Sequence, residues 1–360
     1  MDIIDLFHKM AELDASDLFL RINSPPKMRV YSEVVDVGDK KITKDEMYEL
    51  VNQITNEEKR KTLFEQKGVD FAIYIQNLGR FRVSLFIQRN TPALVVRRVK
   101  EEIFNFEELN LPSEVLKKLC KEKRGLILVT GATGSGKSTT IASMINYINS
   151  FRKCHILTLE EPIEFIFKDD QAIINQREIG LDVKDYKSAL RQFALQSPDV
   201  IYIANIRDTE TMSAALTAAE TGVLVFSTLH TINAYQTVQR IINFFPPYQH
   251  NQVLLQLSLL LKGVISLRLI KRADTQGMIP AYEIMTLSPT ISRLLREAKI
   301  WEIPRYIEEG DIYGMISFKK CLIRLVREGK ITPQSALEYA DSKEDMRIEL
   351  KNILNIDVER

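Results

Sequence analysis

The chain has 360 residues, of which 45% are hydrophobic, so its apolar content is sufficient for two or three globular units. Lysines and arginines number 49 and acidic residues 48, and this net charge of +1 gives no general indication of nucleic-acid binding. The 3 cysteines are far apart and form no CxxC pair, which argues against a disulfide framework and against a zinc site. A reducing, cytoplasmic setting is therefore expected.

Neither a secretory signal nor a membrane span is predicted. Residues 1–17 are amphipathic and acidic, and they lack a basic region followed by an apolar core. The most apolar stretch, residues 253–270, is interrupted by Gln256, Ser258, Lys262 and Arg268. It is predicted to be a buried helix that continues into a strand, so any membrane association is expected to depend on a partner.

Residues 1–100 are predicted to form a small α/β domain. Residues 3–13 have the spacing of a helix, and "DLFLRI" and "KMRVYSEVVDV" suit strands separated by the turn "NSPP". Helical spacing over 43–66 is followed by the alternating strands "VDFAIYI", "GRFRVSLFIQR" and "PALVVRRV". Residues 101–112 are charged and end at Pro112, so they are predicted to be a linker.

Strands alternate with helices over residues 113–270. "GLILVT", "CHILTLE", "VIYIA" and "VLVFSTLH" are apolar strands, and segments of helical spacing separate them. This alternation predicts a parallel sheet with helices packed on it. Residues 271–360 are charged and are predicted to be mostly helical, with "ISRLLREAKIWEIPRYI" and "SFKKCLIRLVREG" as the clearest segments.

A phosphate-binding loop is predicted between the first of these strands and the helix after it. "GATGSGKST" fits the pattern G-x-x-x-x-G-K-[ST], and a plain glycine turn would not require Lys-Ser at its end. Glycines let successive N–H groups turn inward around phosphates, Lys137 reaches the outer phosphates, and the Ser138 hydroxyl ligates Mg²⁺. The residues predicted to hold ATP are Gly131, Thr133, Gly134, Ser135, Gly136, Lys137, Ser138 and Thr139.

The chain resembles the type IV pilus retraction ATPases, the PilT/PilU-like branch of the secretion-type ATPases. The resemblance lies in the order and spacing of "GATGSGKSTTIASMINYIN", "HILTLEEPIEFIF", "INQREIG", "LTAAETG" and "LVFSTLHT", and it extends to "ASDLFLR", "GRFRVSLFIQR" and "ISRLLRE". It implies a PAS-like N-terminal domain, a RecA-like ATPase core and a helical C-terminal region. Extension motors and type II secretion ATPases usually carry a longer N-terminal region and a four-cysteine zinc insertion, and this chain has neither.

The resemblance also implies roles for acidic and basic residues. "LEEPIE" matches the family's Asp-box, so Glu164 would be the general base that positions the attacking water and Glu160 would support the metal. The alternative is a pair of surface acids near a strand end. Arg82 and Arg97 are candidates for the arginines that reach the phosphates, and the alternative is an ordinary solvated strand face.

Two histidine positions of the family are also recognisable. His230 matches the second His-box position, which senses the γ-phosphate and couples it to the neighbouring subunit, and the alternative is a histidine bonded within the core. Val223 stands at the first His-box position, where it cannot form a hydrogen bond. One coupling element is therefore expected to be lost.

Asn205 is the main departure from the family pattern. The family reads roughly Gly-Glu-Met-Arg-Asp where this chain has Ala-Asn-Ile-Arg-Asp at 204–208, so Asn205 replaces the Walker B glutamate near Mg²⁺ and Arg207 is retained. Asp199 begins the strand and would lie near its far end. Asp208 matches the family's own aspartate, so a substitution by it is not expected. Ser138 and Asn205 are the predicted metal ligands.

The resulting hypothesis is a cytoplasmic, ring-forming ATPase at the inner-membrane face of a pilus machine. It would bind Mg²⁺ and ATP, power retraction and twitching motility, and hydrolyse ATP with weakened turnover. Its expected partners are copies of itself in a homohexamer, an inner-membrane platform protein and a second pilus ATPase. The alternative from another class is a non-hydrolysing nucleotide-binding ring subunit that acts with an active motor. A third hypothesis, a DNA translocase, is not supported by the balanced charge of the chain.

Overall fold

The computed structural model describes residues 2–30, 33–76, 78–99, 102–193 and 195–354. The chain divides into two compact units, Met1–Glu102 with Glu164–Ile166 and Ile103–Ile163 with Phe167–Arg360. The predicted boundary between residues 100 and 101 lies outside the described residues, as do residues 355–360 of the predicted C-terminal region.

The first unit is built on an antiparallel sheet. Its strands are β1 (Asp17–Arg21), β2 (Lys27–Val30), β3 (Glu33–Asp36), β4 (Gly68–Ile75), β5 (Gly79–Gln88) and β6 (Thr91–Arg98), and its helices are α1 (Ile3–Glu12), α2 (Lys44–Ile54) and α3 (Glu57–Gln66). The sheet is 6-stranded in the order β3-β2-β1-β6-β5-β4. The predicted strands and helices of this region are confirmed, except that the segment predicted as one strand at 27–37 contains two, β2 and β3, and the segment 43–66 contains two helices.

Alternation along β5 explains how this sheet is covered. Phe81, Val83 and Leu85 are buried, while Arg80 and Arg82, which alternate with them, are half-buried. The Phe81 ring stacks on Phe7 of α1 with centroids 4.7 Å apart. One face of the sheet therefore packs on helices, and Arg80 and Arg82 lie on the other face.

The second unit contains a largely parallel sheet. Its strands are β7 (Gly125–Thr130), β8 (His155–Glu160), β9 (Ile173–Glu178), β10 (Val200–Ile203), β11 (Leu224–Leu229), β12 (Leu261–Lys271) and β13 (Met278–Thr286). Its helices are α4 (Ser113–Cys120), α5 (Lys137–Phe151), α6 (Tyr186–Phe193), α7 (Thr209–Glu220), α8 (Ala234–Asn243), α9 (His250–Leu260), α10 (Pro289–Arg296), α11 (Ile303–Glu308), α12 (Phe318–Arg327), α13 (Pro333–Tyr339) and α14 (Lys343–Leu354).

The strand order of this sheet sets the position of the site. The sheet is 7-stranded in the order β13-β12-β7-β11-β10-β8-β9. Strands β7, β11, β10 and β8 are neighbours and all pair in parallel. Separate core clusters cover the two faces, one with α5 and one with α7, α8 and α9. The carboxyl ends of these strands therefore lie along one edge, the usual position of a ligand in such sheets.

The differences from the sequence prediction include strand β9, which was not predicted, the region after 271 and the linker. The region after 271, predicted to be mostly helical, contains strand β13, because pairing with β12 buries Ile279, Ala281 and Ile284 in a way that local spacing did not reveal. The predicted linker belongs to the second unit from Ile103 onward, and it packs Phe106 and Leu111 into the core with Ile145 of α5.

The apolar stretch at 253–270 is a helix that continues into a strand, as predicted, since α9 ends at Leu260 and β12 begins at Leu261. In the part of the chain that the structure describes, no helix combines the length and the apolar composition needed to cross a bilayer.

Candidate active site

The glycine-rich loop after β7 forms a cradle whose backbone conformation and close contacts require glycine. Gly131 has φ 143°, and a Cβ there would lie 2.4 Å from Ser135 Oγ and 2.5 Å from the Leu267 carbonyl oxygen. Gly134 and Gly136 have φ of 78° and 94°, which other residues rarely adopt. Gly136 caps α5 without a side-chain hydrogen bond, so the first N–H groups of the helix are not capped by a side chain.

Lys137 supplies the positive charge of the cradle. Its Nζ donates to the carbonyl oxygens of Gly131, at 2.9 Å, and Ala132, at 2.8 Å, which draws the ammonium group back over the loop. Ser138 and Thr139 are half-buried in the first turn of α5, and Thr133 is exposed. The structure thus brings together all the residues predicted to hold ATP.

Two buried polar atoms at this edge indicate that a ligand belongs there. In the described part of the chain, Ser135 Oγ in the cradle and Asn205 Oδ1 after β10 have no hydrogen-bond partner. Leaving such an atom unpaired costs about 1–3 kcal/mol, so native proteins seldom do so. The Ser138 hydroxyl and the Asn205 amide are oxygen ligands of the kind that Mg²⁺ prefers, alongside phosphate oxygens. The residues present therefore fit Mg–ATP.

The end of β8 contributes a buried carboxylate. Glu160 is 4% exposed, and its Oε1 accepts hydrogen bonds from Thr158 Oγ1 at 2.6 Å and Gln176 Nε2 at 3.2 Å. These donors hold the carboxylate in one orientation. The expected support of a metal or its waters by Glu160 stays a prediction.

Arg207 has a partner that the sequence did not indicate. Its Nη1 lies 3.1 Å from Glu161 Oε2, so the ends of β10 and β8 are joined by an ion pair. No role was assigned to Glu161 from the sequence. Only the adjacency of the two strands makes it the partner of Arg207.

His230 follows β11 and lies near the positive charges of Lys137 and Arg207. Its ring is exposed, and within the described residues it makes no hydrogen bond, so it is not a histidine bonded within the core. Partial burial, and then the charges of Lys137 and Arg207, lower the pKa of His230. Its imidazole is therefore neutral at neutral pH. Val223 precedes β11 and lies at the opposite edge of the sheet.

No nearby aspartate replaces the acid that is missing at 205. Asp199 Oδ2 accepts from the His155 N–H at 2.9 Å, at the amino ends of β8 and β10, as the strand length predicted. Asp208 is the N-cap of α7, and its Oδ1 accepts from the Thr211 N–H at 2.8 Å. Both carboxylates are engaged in local structure.

Glu283 is a buried carboxylate that the sequence analysis missed. It lies on β13, is 7% exposed, and accepts a hydrogen bond from the Ala234 N–H at 2.8 Å. Burial raises the pKa of Glu283 to about 7. The bond ties the start of α8, and with it the segment that follows His230, to the sheet. Glu283 could have been found from the sequence only if strand β13 had been predicted.

Arg82, Arg97 and Glu164 belong to the first unit. Arg82 and Arg97 are direct cross-strand neighbours on β5 and β6. Arg97 Nε donates to Asp17 Oδ1 at 2.8 Å, and Arg29 Nε donates to Asp17 Oδ2 at 3.2 Å. Arg82 makes no ion pair within the described residues. Glu164 is exposed, and the roles expected for these residues stay predictions.

Arg82 and Arg97 should therefore behave differently on substitution. Arg82→Ala should lower the rate of ATP hydrolysis at least about tenfold, since it would remove the predicted contact with phosphate. Its thermal stability should not change, since Arg82 makes no ion pair within the described residues. Arg97→Ala should destabilise the protein by about 1–2 kcal/mol, because Asp17 is 3% exposed and its Oδ1 would lose Arg97, while Arg29 and the Ser16 hydroxyl donate to Oδ2. Urea unfolding measures the stability of both variants, and a steady-state assay measures their rates of ATP hydrolysis. Equal losses of stability in the two variants would contradict the different roles of Arg82 and Arg97.

Comparison with known proteins agrees with this geometry. Residues 33–304 match the family described as "Type II/IV secretion system protein". The type IV pilus ATPase PilU of Pseudomonas aeruginosa is 40% identical over 351 residues, which is 98% of this chain and 92% of PilU. The type IV pilus retraction ATPase PilT of the same organism is 39% identical over 345 residues, 96% of this chain and 100% of PilT.

A solved structure extends the similarity to the fold. The crystal structure of the pilus retraction motor PilT with bound ADP superposes with a TM-score of 0.90 at 40% identity, covering 96% of this chain and 98% of that one. The predicted α/β class, with an N-terminal domain, a RecA-like core and a helical C-terminal region, is thereby confirmed. The chain belongs to the type II/IV secretion system protein family, among the PilT- and PilU-like type IV pilus ATPases.

Proposed function

We propose that this chain is an ATP-hydrolysing motor that powers the retraction of a type IV pilus. The observation that carries the proposal is the glycine-rich cradle at 131–139. It leads into the first turn of α5, which begins at Lys137 and has no side-chain cap. The names of the relatives, a pilus ATPase and a retraction ATPase, support the same activity and process.

The residues of the second unit would divide the work of holding the nucleotide. Backbone N–H groups of the cradle bind the phosphates, Lys137 balances their charge, and Ser138 and Asn205 hold Mg²⁺ by their oxygens. Bound Mg²⁺ neutralises charge on the phosphates. Glu160 keeps waters of the metal oriented through a carboxylate that Thr158 and Gln176 hold in place.

Residues of three other segments would complete catalysis. Glu164 positions the attacking water as general base, Arg82 neutralises phosphate charge, and His230 senses the γ-phosphate as a neutral imidazole. Arg207 acts indirectly, because its ion pair with Glu161 fixes the strand ends around Asn205.

We infer the following organisation from the family. Residues 1–100 serve as a PAS-like domain, 113–270 as the ATPase core and 271–360 as the C-terminal region. Copies assemble into a homohexamer in the cytoplasm, at the inner-membrane face of the pilus machine, where the ring engages a platform protein and works with a second pilus ATPase. Closed rings also avoid the open polymers that head-to-tail contacts otherwise form.

A second function is favoured by one observation. Asn205 carries no charge where the family has a glutamate, and neither Asp199 nor Asp208 substitutes for it. A non-hydrolysing ring that binds nucleotide and acts with an active motor is therefore the competing proposal.

Steady-state ATP hydrolysis by the purified ring separates the two functions. The motor proposal expects turnover that depends on Mg²⁺, together with a hexameric mass by light scattering when an ATP analogue is present. Binding of the analogue without any turnover would favour the non-hydrolysing ring. A protein that stays monomeric at high concentration with the analogue would contradict both.

A further inference from the structure

The Tyr186 hydroxyl is a buried polar atom that the structure leaves unsatisfied. Tyr186 is the first residue of α6, and its ring packs against the core cluster that includes Leu159 of β8 and Ile203 of β10. No hydrogen bond from the described residues reaches its oxygen. Buried hydroxyls nearly always have a partner in native proteins, so this one requires an explanation.

The charges near this hydroxyl belong to the ends of two neighbouring strands. Burial, and then the carboxylate of Glu161, raise the pKa of Tyr186 to about 12, while Arg207 opposes that rise. Strands β8 and β10 are parallel neighbours, so Glu161 and Arg207 follow them at the same edge and form an ion pair there. The first turn of α6 is tied to this edge by the Lys187–Glu210 ion pair at 2.9 Å.

The same edge holds the unsatisfied amide oxygen of Asn205. A tyrosine hydroxyl donates and an amide oxygen accepts, yet these two atoms do not bond to each other. Mg²⁺ with its waters would satisfy both, because the metal takes the Asn205 oxygen as a ligand and a bound water can donate to the Tyr186 oxygen. The waters of a bound metal are held strongly enough to order the side chains around them.

We propose that Tyr186 is a positioning residue for the metal, and that its hydroxyl oxygen accepts a hydrogen bond from a water of Mg²⁺ beside Asn205. The inference rests on the proposed function, since it needs Mg–ATP in the cradle. A glutamate at 205 would hold the metal by its charge. Asn205 offers only a dipole, and the Tyr186 hydroxyl supplies a further contact to a water of the same metal.

Tyr186→Phe tests the proposal because it removes the oxygen and keeps the ring. Calorimetric titration with the non-hydrolysable analogue AMP-PNP is performed at several Mg²⁺ concentrations and in EDTA. The Mg²⁺-dependent affinity should fall about 10-fold or more, within the range for the loss of a group that supports a metal ligand. The affinity in EDTA, which depends on the cradle and Lys137, should not change.

The melting temperature of the protein without nucleotide gives an independent readout. It should stay the same or rise in Tyr186→Phe, because an unsatisfied buried hydroxyl has been removed. Tyr147→Phe is the matched control, since the Tyr147 ring contacts Phe106 and Phe151 elsewhere in the same unit. That control should leave the Mg²⁺-dependent affinity unchanged.

The possible failures are distinguishable. An unchanged Mg²⁺-dependent affinity in Tyr186→Phe overturns the positioning role. A lower melting temperature also overturns it, because the hydroxyl would then have a partner inside the protein. Wild-type protein that binds no AMP-PNP under any condition overturns the proposed function, and this inference with it.

Discussion

Replacing Lys137 by alanine should weaken ATP binding about 100-fold, at the upper end of the effect of losing a hydrogen bond to a charged group. Lys137 is the only cationic residue in the cradle sequence 131–139. Its Nζ already lies against the loop through the Gly131 and Ala132 carbonyl oxygens, so it needs little reorganisation to meet phosphates. Displacement of a fluorescent nucleotide measures the affinity.

Lys153→Ala is the matched control for this experiment. Lys153 is an exposed lysine just beyond the other end of α5, at the opposite edge of the sheet. Its removal changes the net charge equally and should leave ATP affinity unchanged. Circular dichroism would confirm that both variants are folded. Undiminished ATP affinity in Lys137→Ala would refute the assignment of the cradle.

Restoring an acid with Asn205→Glu should raise the rate of ATP hydrolysis by about 10- to 100-fold at limiting Mg²⁺, the range for groups that support a metal. The Asn205 amide oxygen is buried without a partner, so a carboxylate there would face the metal site. The added charge strengthens metal binding, and the gain should shrink as Mg²⁺ saturates. ATP binding itself should survive in the wild-type protein, because Lys137 and Ser138 are present.

Asn205→Gln is the control, since it matches glutamate in length and lacks the charge. It should not raise the rate at any Mg²⁺ concentration. Val223→His should do less than Asn205→Glu on its own, because Val223 lies at the far edge of the sheet from the cradle. A rate that stays flat in Asn205→Glu at every Mg²⁺ concentration would mean that the missing carboxylate is not the limiting defect.

Arg207 and Arg97 show where sequence reasoning was incomplete. Arg97 was a candidate for a phosphate contact, and Arg207 was retained from the family's pattern of site residues. The structure pairs Arg207 with Glu161 across two strand ends, and Arg97 with Asp17, which is 80 residues away in the chain. A single sequence does not reveal which charged residues become neighbours, because pairing depends on strand order and register. Arg82, which has the same local pattern, makes no ion pair in the described residues.

The sequence by itself determined the features that depend on neighbouring residues. The cradle was predictable because its glycines, Lys137 and Ser138 are contiguous, and their backbone conformations follow from local sterics. The alternation of apolar strands and helices likewise predicted the parallel core. The position of Asp199 followed from the length of one strand.

Only the tertiary structure decided the contacts between distant segments. Strand β13 forms because β12 offers it a partner, and the Glu283 anchor of α8 depends on that pairing. The unsatisfied Tyr186 hydroxyl became visible only when α6 packed beside the ends of β8 and β10. Such contacts arise from burial and pairing across the whole unit, for which local spacing carries no signal.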